Sequence, residues 1–203
     1  MDALIVVDVQ RDFCAGGALA VPDGDAVVPV VNAMMGSFDL VVATQDWHPP
    51  DHGSFASQHG RTPGELAELH GLPQVMWPDH CVQGTPGASW HPDLDDGPIE
   101  AVFRKGTRVE VDSYSGFFDN GRRHDTGLAA YLRGRGVTHV HVVGLATDYC
   151  VRFTAEDALS EGFAVTLHTA ACRGVELQPG DVAAALAHLR QAGVVVRDAP
   201  SPR

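Results

Sequence analysis

Short apolar runs punctuate the chain at residues 3–7, 40–44, 99–103, 139–143, 164–167 and 194–196. Each is rich in Val, Ile, Leu or Ala and is short, which predicts a strand buried on both faces. Between several of them the apolar positions recur at helical spacing, over residues 26–35, 128–133, 148–161 and 181–191. The last of these stops shortly before Gly193, a residue suited to the left-handed turn that ends many helices. Strands alternating with helices predict an α/β fold, a doubly wound parallel sheet with helices on both faces, in a single domain over residues 1–203.

Two stretches break the rhythm. Residues 47–98 and 106–127 are dense in Gly, Pro, His and Asp and show little sustained apolar periodicity, so they are expected to be long loops or short-helix excursions. Loops of that length inside one domain usually carry function. In an open parallel sheet ligands bind beyond the carboxyl ends of the strands. The residues that fall there are Asp8 after the first run, Asp46 and His48 after the second, Lys105 after the third and the segment 144–150 after the fourth. Four strand ends thus bring polar groups to one edge.

Composition narrows the choice of ligand. The formal net charge is -12, from 26 acidic against 14 basic residues, with no cluster of Lys and Arg along the chain. Such a surface repels phosphate backbones and anionic lipid, which argues against nucleic acid and membrane as partners and for a small neutral molecule. The start, Met1-Asp2-Ala3, lacks the positive charge of a secretory signal, and its apolar run is too short for a signal core or a span, so a cytoplasmic protein is expected. Four cysteines without paired spacing suggest buried thiols or a nucleophile rather than a disulfide frame. The oligomeric state is left open, a homo-oligomer included.

Cys150 lies in Gly144-Leu145-Ala146-Thr147-Asp148-Tyr149-Cys150, a strand-to-helix turn in which Thr147 or Asp148 is placed to cap the helix. A sulfur in the first helical turn gains from the exposed N–H groups, which favour a thiolate and can also donate to an oxyanion. The competing reading is a cysteine that only packs helix against sheet. Asp8 leaves an apolar strand and is placed to accept the thiol proton; a turn former facing solvent is its alternative. Lys105, in the same position on its own strand, would neutralise charge beside them, unless it is simply solvated.

The segment Asp46-Trp47-His48-Pro49-Pro50-Asp51-His52, with His80 in Trp77-Pro78-Asp79-His80, supplies three imidazoles and a carboxylate. Asp46, His48, His52 and His80 form a donor set that suits Zn, Fe or Mn, and prolines stiffen the loop that carries them. Asp51 and Cys81 rank below these four, and the other histidines are read as surface or packed side chains. Phe13, Trp77 and Tyr114 lie beside the motifs and offer flat apolar walls for an aromatic substrate, or else belong to the core.

These segments, together with Val7-Asp8-Val9-Gln10-Arg11-Asp12-Phe13, Gln45-Asp46-Trp47-His48, His52-Gly53-Ser54-Phe55, Trp77-Pro78-Asp79-His80-Cys81, Phe103-Arg104-Lys105-Gly106 and Ser113-Tyr114-Ser115-Gly116-Phe117, resemble the isochorismatase-like cysteine hydrolases. Within that family they resemble the nicotinamidase/pyrazinamidase branch, in the same order over nearly the whole chain. The resemblance implies a six-stranded parallel sheet and a triad of Asp8, Lys105 and Cys150. It also implies a divalent metal on Asp46, His48, His52 and His80. A cis peptide at Leu145–Ala146 is implied as well, with the Ala146 and Cys150 amides as the oxyanion hole and Ala146 also against the substrate. The implied reaction is hydrolysis of nicotinamide to nicotinate and ammonia through a cysteine thioester, as in pyridine-nucleotide (NAD) salvage, with pyrazinamide as a second substrate. Two rivals stand beside it. One is a relative hydrolysing a vinyl ether, carbamoyl or ureido compound. The other is a nucleotide-binding module, disfavoured because Asp8-Val9-Gln10-Arg11-Asp12 replaces a Gly-rich phosphate loop.

Overall fold

In the computed structural model, which describes residues 1–198, all six apolar runs are strands of one sheet. They are β1 (Asp2–Val7), β2 (Leu40–Asp46), β5 (Ala101–Lys105), β6 (His139–Leu145), β7 (Ala164–Arg173) and β8 (Val195–Arg197). A separate antiparallel hairpin pairs β3 (Leu66–Leu69) with β4 (Leu72–Val75). The end of the domain expected from the sequence, residues 199–203, lies outside the described residues.

The sheet order is β5-β2-β1-β6-β7-β8, and every pairing in it is parallel. The chain therefore builds outward from β1 to one side, then crosses back and builds outward from β6 on the other. That reversal leaves a crevice at the carboxyl ends of β1 and β6, the place where doubly wound sheets bind ligands.

Alternation along β1 divides the core between the two faces. Ala3, Ile5 and Val7 pack with Leu128, Leu132, Ala155 and Leu189, from α2 (Leu128–Gly134), α3 (Arg152–Ser160) and α4 (Asp181–Ala192). Leu4 and Val6 pack with Val27, Val31 and Met35 of α1 (Val27–Met35) on the opposite face. With so many fully buried Val, Ile and Leu side chains, at ~1.5–3 kcal/mol each, apolar burial is the main force holding the strand ends in register. Helix α4 ends as its sequence predicts, with Gly193 at φ 107°.

Two local expectations are corrected. Helix formation after β6 begins with a wider turn over Thr147–Val151 before α3 starts at Arg152. Neither Thr147 nor Asp148 caps it. The Asp148 carboxylate instead accepts the N–H groups of Val175 and Glu176 at 2.9 and 2.8 Å, which ties the turn to the segment after β7. The stretch 47–98 also holds a β-hairpin, where only loops or short helices are expected.

Candidate active site

Strand β1 runs out at Val7, and Asp8 follows with φ 47°, a left-handed conformation that Asp tolerates better than most residues. Its carboxylate is fully buried, with Oδ1 accepting the Thr44 hydroxyl at 2.7 Å. Lys105, the last residue of β5, reaches across β2 so that Nζ lies 2.8 Å from Asp8 Oδ2. The same ammonium donates to Asp46 Oδ1 and to the Ser113 carbonyl at 3.0 Å, and lies 3.3 Å from Cys150 Sγ. An ammonium has three donors, so this one is fully engaged and held against all the groups it touches. Close packing at the crevice depends on Gly144, at φ 115°, where a Cβ would sit 2.1 Å from the Val7 carbonyl oxygen.

Burial sets the protonation states. It pushes the Asp8 carboxyl up to about 6, against the Lys105 charge that favours ionisation. Burial also drives the Cys150 thiol well above its ordinary range, outweighing Lys105. The resting sulfur is thus a thiol, not the thiolate that a helix start alone would favour, and its proton needs an acceptor. Asp8, Asp46 and Cys150 present atoms within 4.8 Å of one another. Burial opposes the charge on Lys105, but Asp46 and Asp8 overcome it and hold the ammonium protonated.

Asp46 joins two clusters. Oδ1 faces Lys105, while Oδ2 lies 3.7 Å from His48 Nε2 and 3.9 Å from His80 Nε2. Each imidazole is fixed through its other nitrogen: His48 Nδ1 on the Gly106 carbonyl at 2.8 Å, His80 Nδ1 on the Pro78 carbonyl at 2.7 Å, His52 Nδ1 on Ser54 Oγ at 2.7 Å. Such outer partners orient histidine ligands in metal sites. Gly106 is required for this contact, since at φ 61° a Cβ would meet the His48 ring at 2.3 Å. The Nε2 of His52 is buried with no hydrogen-bond partner among the described residues. The donors of Asp46, His48 and His80 lie within 4.8 Å of one another, and His52 joins through His48 in an overlapping set with Asp112. Burial, with the His48 charge second, pushes His52 and His80 down to about 4, leaving both in the neutral form that binds metals, while Asp46 outweighs burial at His48 and raises it, so a cation there would take the place of the His48 proton. An orphaned buried nitrogen, anchored rings and an ionised carboxylate fit a divalent cation of the Zn, Fe or Mn class.

Beside the thiol lies a narrow pocket lined by Phe13, Trp77, Tyr114, Ala146, Tyr149 and Cys150 together with Asp46, His48 and His80. Trp77 Nε1 donates to Tyr114 Oη at 3.1 Å, and Tyr149 stands edge-on to Trp77 with ring centroids 4.9 Å apart, so the aromatic wall is braced. The peptide Leu145–Ala146 is cis.

The structure therefore brings Asp8, Lys105, Cys150, Asp46, His48, His52, His80, Phe13, Trp77, Tyr114 and Ala146 to one crevice. The sequence missed four contributors. Gln10 clamps Asp46, donating to its carbonyl at 2.8 Å and accepting its N–H at 2.9 Å. Thr44 orients Asp8, Tyr149 completes the wall, and Asp112 lies beside His48 and His52. Only Gln10 carried a signal, as a polar residue just beyond an apolar strand.

The isochorismatase domain matches residues 2–201. The chain is 53% identical over 198 residues to the nicotinamidase of Escherichia coli, covering 96% of this chain and 93% of that one. Its fold superposes with TM-score 0.93 on an Acinetobacter baumanii nicotinamidase/pyrazinamidase, at 46% identity over 96% of this chain and 94% of the other. It also superposes with TM-score 0.79 on a Pyrococcus horikoshii pyrazinamidase in complex with zinc, at 42% identity over 97% and 98% of the two chains. The crevice at the sheet reversal, its buried thiol and the match along nearly the whole chain lead to one conclusion: the chain belongs to the isochorismatase domain family.

Proposed function

We propose that this chain is a nicotinamidase, hydrolysing nicotinamide to nicotinate and ammonia, with pyrazinamide as a second substrate. The observation that carries the reading is a buried thiol, carboxylate and ammonium in mutual contact beside a pocket walled by aromatic side chains. Relatives named nicotinamidase or pyrazinamidase support the choice of amide.

Asp46, His48, His52 and His80 would hold a divalent ion, which would supply a Lewis acid for the ring nitrogen of the substrate; that a related pyrazinamidase is in complex with zinc supports the presence of an ion. Phe13, Trp77 and Tyr114 confine the ring so that its carboxamide carbon faces Cys150, and orientation of this kind lowers the barrier by removing entropy in advance. Asp8, ionised above about pH 6, takes the thiol proton as sulfur attacks. Lys105 stays charged and offsets the negative charge that builds between Asp8 and the substrate. The Ala146 and Cys150 amides receive the oxyanion. Asp8 then protonates the departing ammonia, a thioester remains on Cys150, and water activated by Asp8 releases nicotinate.

Cys150→Ala tests the assignment. The variant is expected to fold, to keep its bound metal and to release no detectable ammonia from nicotinamide. Ammonia at the wild-type rate would overturn it. Asp46→Ala and His80→Ala are each expected to lower bound metal by elemental analysis, and full occupancy in both would remove them from the ligand set.

A further inference from the structure

The opposite end of the sheet holds a second convergence of metal-binding side chains. On the face covered by α1, alternation along the strands calls for apolar residues, and Leu4 and Val6 of β1 supply them. At the amino edge the same face carries Asp2 on β1, His139 and His141 on β6, and Thr166 and His168 on β7. Parallel register sets them side by side, with Asp2 beside His139 and His141 beside Thr166. Phe38, just after α1, stands edge-on to His141 with ring centroids 4.8 Å apart and closes the corner from above.

Three of these groups aim donor atoms at one point. His139 Nδ1 and His141 Nε2 each lie 3.5 Å from Asp2 Oδ2. Ligand atoms of Asp2, His139 and His141 all fall within 4.8 Å of one another. The two 3.5 Å separations are longer than N–H···O hydrogen bonds, which run about 2.7–3.2 Å. They are close to the roughly 3.3–3.4 Å between neighbouring ligands around a tetrahedral ion with bonds of about 2.0–2.1 Å. The remaining nitrogens are already engaged: His139 Nε2 with Thr166 Oγ1 at 2.9 Å, and His141 Nδ1 with His168 Nε2 at 2.8 Å. Those contacts orient both rings as outer partners orient histidine ligands. His141 is only 2% exposed, and its Nε2 has no hydrogen-bond partner among the described residues.

We infer that Asp2, His139 and His141 form a second divalent-metal site, for a zinc-like ion, with solvent completing the coordination through the exposed side of Asp2 and His139. It is separate from the catalytic crevice, since its residues open β1 and β6 whereas the crevice lies at the ends of those strands. The site clasps the start of the chain to β6. It adds to the tie already made by the Met1 carbonyl, which accepts the Thr138 N–H at 3.1 Å.

The test uses untagged full-length protein, stripped with chelator and dialysed against zinc, with zinc per chain read by elemental analysis. His139→Ala and Asp2→Asn alter part-exposed side chains and are expected to fold and to hydrolyse nicotinamide at the wild-type rate. Each is expected to bind one zinc fewer per chain than wild type, and to lose part of the zinc-dependent rise in melting temperature. Equal zinc content in wild type and both variants would overturn the inference. Because the readout is a difference between these proteins, it holds whatever the catalytic crevice binds. Cobalt(II) in place of zinc gives an independent check: the tetrahedral absorption bands assigned to this site should disappear in His139→Ala, and unchanged bands would count against it.

Discussion

The two ends of the sheet gather similar residue types and differ in what surrounds them. At the carboxyl ends, Asp46, His48 and His80 are each at most 4% exposed and adjoin a thiol, an ammonium, a second carboxylate and an aromatic cavity. At the amino edge, Asp2 and His139 have side chains 33% and 29% exposed, and their neighbours are a hydroxyl, another histidine and Phe38. The cause is chain path. The carboxyl ends of β2 and β5 feed the stretches 47–98 and 106–127, which fold over the crevice and bury it. The amino ends of β6 and β7 are entered by tight turns, closed by the Gly136 and Val137 N–H groups on the Arg133 and Leu132 carbonyls and by those of Gly162 and Phe163 on Leu159 and Ala158, and among the described residues no stretch of comparable length covers them. Metal donors alone therefore do not make an active site in this fold; long loops must also bring a nucleophile, a base and walls.

The sharpest way to break that contrast is to remove the cation at the catalytic end. Lys105→Met keeps volume but leaves Asp8 and Asp46 buried without their shared partner. Breaking a buried ion pair from one side costs about 3–5 kcal/mol, so denaturant unfolding should show a loss of that size. The rate on nicotinamide should fall at least 100-fold, by the usual scale of a lost electrostatic stabiliser. His139→Ala, at the other end, should leave that rate untouched. If Lys105→Met unfolds at the wild-type denaturant midpoint, the ammonium does not offset the buried charge of Asp8 and Asp46.

A smaller effect is expected from Gln10→Ala. The side chain touches neither thiol nor imidazole, but it holds the backbone of Asp46 through both its N–H and its carbonyl. Outer partners of metal ligands typically control affinity by about 10–100-fold. Zinc affinity at the crevice, measured by competition with a chelator, should weaken by that factor, and activity should recover at high zinc. Activity that stays low at saturating zinc would show that Gln10 matters for something other than ligand placement.

The contrast also explains what could be read in advance. All six strands and the four-strand convergence on the crevice follow from short apolar runs, because a strand buried on both faces leaves a local mark. The hairpin leaves none: Leu66 is 74% exposed, and the four-residue sequence of β3, Leu66-Ala67-Glu68-Leu69, does not alternate apolar with polar residues. Thr44 and Gln10 act through contacts with residues 36 positions away, which no local pattern reports. Asp148 looked like a helix cap because Asp before a helix usually is one, yet it bonds to Val175 and Glu176, brought close only by the fold. His139 and His141 fit a strand pattern that treats them as packed side chains, and only the register with Asp2 shows what they converge on.

The finest distinction concerns the proton on Asp8. Burial raises this carboxyl to about 6, while the Thr44 hydroxyl, donating at 2.7 Å, favours the ionised form. Since the base must be ionised to take the thiol proton, kcat/KM should be level above that value and fall tenfold for each pH unit below it. Thr44→Val removes a hydrogen bond to the charged form, which must move the carboxyl further up. A hydrogen bond to a charged group is worth about 1.5–3 kcal/mol, and one pH unit corresponds to about 1.4 kcal/mol. The acid limb of the profile should therefore shift upward by roughly one to two units, with the plateau at high pH less affected, as long as Lys105 still neutralises the pair. His139→Ala should leave the limb where it is, because the amino edge shares no titrating group with the crevice. A limb that stays put in Thr44→Val, or moves down, would mean that a group other than Asp8 governs the acid side of catalysis.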